Sequence, residues 1–112
     1  MKIIKTAFDD VFIIEPKQFI DGRGCFLETY NTEKYKEIIG NINFIQDNES
    51  VSKKGVIRGL HYQKPPFTQS KLVRVINGSV LDIIVDIKID SPNFGKYITI
   101  ELSSKNKLQV FI

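Results

Sequence analysis

The run Arg58-Gly59-Leu60-His61-Tyr62-Gln63 contains the only histidine of the 112-residue chain, and Lys71 follows eight residues after it ends. Imidazole titrates nearest to neutrality of all side chains, so a sole histidine flanked by cations is a candidate general base. Nearby positive charge further favours its neutral, proton-accepting form. Arginine is sparse, at Arg23, Arg58 and Arg74, and the guanidinium fork suits phosphate better than an ordinary surface requires. The single Cys25 cannot form an internal disulfide and reads as an inert small residue rather than a nucleophile.

The elements that must position these groups fit in one domain, since 112 residues support a single hydrophobic core. A composition of 42% hydrophobic and 26% charged residues is that of a globular chain, and 8 Phe and 4 Tyr supply large core side chains. Apolar runs such as Val80 to Val85 are interrupted by Asp82 and Asp86. They fall short of the roughly 20 residues that cross a bilayer. The first apolar stretch is broken by Lys5, Asp9 and Asp10, unlike a signal peptide, so the expected location is the cytoplasm. A net charge of +3 without a basic run beyond Lys53-Lys54 argues against nucleic acid and is compatible with an anionic small ligand.

Short β-branched and aromatic runs separated by turn residues predict an antiparallel all-β protein. The expected strands are Val11 to Ile14, Gly24 to Thr29, Ile42 to Gln46, Gly55 to Tyr62, Lys71 to Ile76, Ser79 to Ile87, Tyr97 to Leu102 and Lys107 to Ile112. One helix is expected from Thr32 to Ile39. Asn31 or Thr32 can cap it, Tyr35, Ile38 and Ile39 share a face, and Gly40 can end it in the left-handed conformation.

Asn77-Gly78 suits a type I′ turn and predicts a hairpin between the strands around it. In that register Val75 opposes Val80 and Val73 opposes Asp82. Lys71 then lies diagonal to Asp82 on an interior face with Val73, Val75, Val80 and Ile84; a solvated surface pair is the alternative. The other face, with Leu72, Ile76, Leu81, Ile83 and Val85, is equally apolar, which implies a second covering layer and another subunit. Alternation along Gly55 to Gln63 puts Arg58 and His61 on opposite faces. A bulge or kink at Gly59 is expected if both serve one site.

The Arg58 to Gln63 run, with Gln46-Asp47-Asn48 before it and Lys71-Leu72-Val73-Arg74 after it, resembles the dTDP-4-dehydrorhamnose 3,5-epimerase family. Asp21-Gly22-Arg23-Gly24-Cys25-Phe26-Leu27-Glu28, Ser91-Pro92-Asn93-Phe94-Gly95 and Leu108-Gln109-Val110-Phe111-Ile112 match it in the same order. The resemblance implies a cupin-like jelly roll or β-sandwich and a homodimer. The implied substrate is a dTDP-linked 4-keto-6-deoxy sugar, inverted at C3 and C5 by proton abstraction next to the carbonyl. It implies no cofactor or metal, and one imidazole cannot supply the histidine cluster of a metal-binding cupin.

By resemblance His61 is the base, and Lys71 stabilises the enolate forming at the 4-keto oxygen. Asp82 is expected to keep Lys71 charged. Arg23 and Arg58 match diphosphate-binding positions. Glu28, Gln46 and Asn48 match further substrate contacts, and Asp47 is read equally as a contact or a turn residue. Phe19 and Phe26 are read as core residues, with stacking on a base as the alternative. The family pattern continues past residue 112 to a second histidine, an acidic tyrosine and a carboxylate that orients the base. Tyr30, Tyr35, Tyr62 and Tyr97 match none of these. The expectation is therefore a truncated jelly roll, with a sugar-nucleotide-binding fragment that does not turn over, or an epimerase of another 4-keto sugar nucleotide, as the alternatives.

Overall fold

A computed structural model describes residues 1–112. It contains eight strands and one helix: β1 (Lys2–Lys5), β2 (Phe12–Glu15), β3 (Gln18–Asp21), β4 (Gly24–Leu27), α1 (Thr32–Ile39), β5 (Leu72–Arg74), β6 (Ser79–Val85), β7 (Tyr97–Ser103) and β8 (Gln109–Phe111). The chain divides into two units, one of residues 1–31 and 70–112 with every strand, the other of residues 32–69.

In the strand-bearing unit one antiparallel sheet has the order β1-β2-β8-β5, and two hairpins, β3-β4 and β6-β7, form separate two-stranded sheets. Alternation puts Ile13, Val73 and Val110 on one face of the four-stranded sheet and Ile84, Ile100 and Leu102 on one face of β6-β7. These two faces meet with Phe8 and Val11 in the core. The opposite face of the four-stranded sheet buries Ile14, Gln109 and Phe111, with Phe111 stacked on Phe12 at 6.3 Å. Leu102, opposite Val80, is 0% exposed and lies between the two sheets. Leu102→Ala is expected to destabilise the fold by about 3 kcal/mol, through lost transfer energy and the cavity left behind. Urea unfolding at constant m-value checks it.

The turns explain one of the sequence motifs. In Ser91 to Gly95, Ser91 Oγ donates to the Asp86 carboxylate and itself accepts from Asn93 N at 3.1 Å. Asn93 Nδ2 donates to Ala7 O at 3.3 Å, and Gly95, at φ +76°, donates its N–H to Asp86 O. The motif thus folds the β6-β7 connection and ties it to the β1-β2 turn beside Phe8. Lys88 adds an ion pair to Asp10. At the β7-β8 connection, Asn106 Oδ1 accepts from Ser103 N at 3.0 Å and Leu108 N at 3.1 Å.

In the other unit the helix forms over Thr32–Ile39, burying Tyr35 and Ile39. Gly40 takes φ +78° and donates its N–H to Lys36 O at 3.1 Å, the left-handed ending expected of it.

Several expectations are corrected. The hairpin at Asn77-Gly78 does not form: β5 pairs with β8 and β6 with β7, so Val73 opposes Val110 and Val80 opposes Leu102. A type I′ turn needs positive φ at both central residues, and here Gly78 takes +80° while Asn77 does not. The dipeptide instead turns a corner between two sheets, and the Gly78 carbonyl accepts from Ser104 N at 2.9 Å. The expected strands at Ile42 to Gln46 and Gly55 to Tyr62 are irregular backbone, whereas β1 and β3 form where no strand was expected. Phe19 and Phe26 are not core residues. They face each other across β3-β4 with ring centroids 6.3 Å apart and are 53% and 70% exposed.

Candidate active site

In the strand-bearing unit Lys71 is held by reciprocal backbone hydrogen bonds with Ile112, Lys71 N to Ile112 O at 2.8 Å and Ile112 N to Lys71 O at 2.9 Å. These extend the β5-β8 ladder by one pair. Alternation then places Lys71 on the same face as Val73, toward the core, and the residue is half-buried. Asp82 lies opposite Ile100 on the face of β6 that carries Ile84, also toward the core. Burial pushes its carboxyl above the ordinary value, opposed by the N–H of Ile83 and by the charge of Lys71. Lys71 and Asp82 thus face the core from two different sheets rather than from one hairpin, and the lysine's charge acts on the carboxyl.

On the β3-β4 hairpin Arg23 sits in the tight turn between Asp21 and Gly24. The Asp21 carboxylate accepts from Arg23 N at 2.8 Å and from its guanidinium at 2.7 Å, and this arginine holds the Asp21 carboxyl below its usual range. The arginine is exposed and pre-set by its neighbour. Sequence reading assigned Asp21 no role. Its signal was the two-residue spacing to an arginine across a Gly-containing turn. Glu28 follows the hairpin, its carboxylate accepting from Asn31 Nδ2 at 3.3 Å. Cys25 is exposed on β4, with its thiol 3.4 Å from Gln18 Oε1.

The second unit carries Gln46, Asp47, Asn48, Arg58 and His61, all exposed on irregular backbone. Gln46 Nε2 donates to Asn48 Oδ1 at 3.1 Å, so the two amides are oriented by each other. Arg58 Nε donates to Ser52 Oγ at 3.0 Å, a partner not anticipated from sequence. Of the bulge or kink expected at Gly59, the structure has a kink, in a segment that is not a strand: Gly59 takes φ +115°, and the imidazole of His61 folds back over it.

The strand-bearing unit thus carries a half-buried lysine, a half-buried carboxyl and an exposed arginine, and the other unit carries the sole imidazole, an exposed arginine and two exposed amides. The model of the family described as dTDP-4-dehydrorhamnose 3,5-epimerase matches residues 5–112. The chain belongs to this family. It is 50% identical over 113 aligned residues to the dTDP-4-dehydrorhamnose 3,5-epimerase of Shigella flexneri, covering 100% of this chain and 62% of that protein. The crystal structure of the Legionella pneumophila dTDP-6-deoxy-D-glucose-3,5-epimerase in complex with dTDP-4-keto-L-rhamnose superposes with a TM-score of 0.93 at 48% identity, over 99% of this chain and 59% of that one. The Bacillus anthracis dTDP-4-dehydrorhamnose 3,5-epimerase, with TDP and PPi bound, gives 0.94 at 41% identity, over 99% and 64%. The chain thus spans about three-fifths of the length of these relatives. Its strand-dominated architecture with one short helix is the family's cupin-like jelly roll. None of its helices is long and apolar enough to cross a membrane.

Proposed function

We propose that this protein epimerises a dTDP-linked 4-keto-6-deoxy sugar at C3 and C5, the step that leads to the L-rhamnose precursor. The observation that carries this reading is the 50% identity to an epimerase of that name across the whole chain. The imidazole of His61 takes the proton next to the carbonyl, and the electrons of the C–H bond move onto the 4-keto oxygen. Lys71 holds positive charge against that oxygen, and Asp82 supplies the counter-charge that fixes the lysine in place. Arg23 and Arg58 bind the diphosphate, while Glu28, Gln46, Asp47 and Asn48 meet the base and the sugar hydroxyls. The acid that returns the proton to the opposite face is a tyrosine by resemblance, and no tyrosine of this chain is assigned to it.

The reaction is expected in the cytoplasm and in a homodimer. Exposed apolar side chains favour a second copy: Leu81 and Ile83 on the outer face of β6 are 63% and 46% exposed, and Phe19 and Phe26 lie open on their hairpin.

The test is proton NMR of dTDP-4-keto-6-deoxyglucose in deuterated water with the purified chain. Loss of the C3 and C5 proton signals is the expected result. Exchange at C3 alone indicates a single-carbon epimerase. Tight dTDP binding with no exchange indicates a sugar-nucleotide-binding module instead.

A further inference from the structure

Of the seven glycines, six have nothing within 4 Å of the point where a Cβ would project. Gly59 is the exception, and what it meets is the candidate base: that point lies 3.4 Å from His61 Nδ1, 3.6 Å from His61 N and 3.8 Å from Cε1. The Nδ1–Cε1 edge of the ring therefore rests over the α-carbon of residue 59, and Nε2 is the ring nitrogen turned away from it. Gly59 also takes φ +115°, a conformation that L side chains rarely adopt. Gly55, in the same segment, has positive φ (+85°) but no neighbour.

We infer that Gly59 is a positioning residue for His61: its missing side chain lets the backbone reverse between Arg58 and His61 and seats the imidazole with Nε2 outward, as the proton-accepting nitrogen. This rests on the reading of His61 as base. An L-methyl group at residue 59 acts on the ring through the backbone: it drives φ out of the positive range and rotates the chain that carries residues 60 and 61, whereas the methyl itself, 3.4 Å from Nδ1, makes only an ordinary van der Waals contact with the ring. Misplacing a catalytic group by about 1 Å costs on the order of a hundredfold in rate.

The experiment compares Gly59→Ala with Gly55→Ala in the full chain. With one histidine, the imidazole Hε1 resonance is assigned without ambiguity. A nuclear Overhauser contact from it to the α-protons of residue 59 reports the seating of the ring directly. Gly59→Ala is expected to lose this contact and to slow C3 proton exchange about a hundredfold through kcat, with KM little changed. Gly55→Ala, with a similar backbone penalty and no ring contact, keeps both. A semisynthetic chain with D-alanine at residue 59 is expected to restore both, because a D-residue takes positive φ readily and its methyl points away from the ring. It also separates positioning from a failure to fold.

Retention of the ring contact and the exchange rate in Gly59→Ala, at the level of Gly55→Ala, overturns the inference, as does failure of D-alanine to restore the ring contact. If His61→Asn leaves exchange unchanged, the base assignment fails, while the ring contact still decides the positioning role.

Discussion

His61→Asn is expected to abolish exchange of the C3 proton while leaving nucleotide binding nearly intact. Asparagine is neutral, similar in reach and able to hydrogen-bond, but it cannot accept a proton at neutral pH. General-base contributions of this kind run from about a hundredfold to ten-thousandfold, and the upper end is expected where the chain offers no second imidazole. His61 is exposed and its segment has no ladder to disrupt, so the substitution leaves the strand-bearing core untouched. The measurement is the rate at which the C3 signal disappears in deuterated water, paired with dTDP affinity. Unchanged exchange removes His61 as the base.

The second large effect is Lys71→Ala. An enolate places a full negative charge on an oxygen that was a neutral carbonyl in the ground state. A cation held at that oxygen therefore stabilises the transition state more than the substrate. Losing one such stabiliser typically raises the barrier by about 3 kcal/mol, on the order of a hundredfold in rate. The structure adds why this lysine is held: its backbone is locked to Ile112 on both sides of one residue pair, and its charge acts on Asp82 across the core-facing surfaces of two sheets. The same substitution removes the charge that opposes the upward shift of Asp82, leaving a half-buried carboxylate without its cation. The loss is expected in kcat, with the affinity for dTDP close to that of the unsubstituted chain. A loss confined to affinity would contradict the assigned role.

Both predictions concern residues that could be named from sequence, but their placement could be derived only in part. The helix at Thr32–Ile39 was legible because its determinants are local: a capping residue, one apolar face and a glycine able to take positive φ lie within nine residues. The pairing of β6 with β7 is different. Each run reads as a strand, yet the partner of β6 depends on which turn closes. Asn77-Gly78 carries the composition of a hairpin turn and functions as a corner, because β5 finds β8 from the far end of the chain. Nothing local distinguishes the two outcomes, since strand pairing is decided by long-range burial. In β1, two isoleucines between lysines are too short a pattern to predict a strand, while Gly55 to Tyr62 has a strand's composition and is irregular.

By itself the sequence determined the family, the all-β class, the helix and its ending, and the identity of the residues that can do chemistry, because motifs, caps and residue types are properties of neighbours in the chain. The tertiary structure decided how they are held. It placed Lys71 and Asp82 on facing sheets rather than one hairpin, set Arg23 against Asp21, opened Phe19 and Phe26 to solvent, and folded the imidazole of His61 over Gly59. The placement of Lys71 and Asp82 follows from which surfaces are buried together and is settled only when distant parts of the chain meet, whereas the Arg23 and His61 contacts reach two residues along the chain and follow from where the backbone turns.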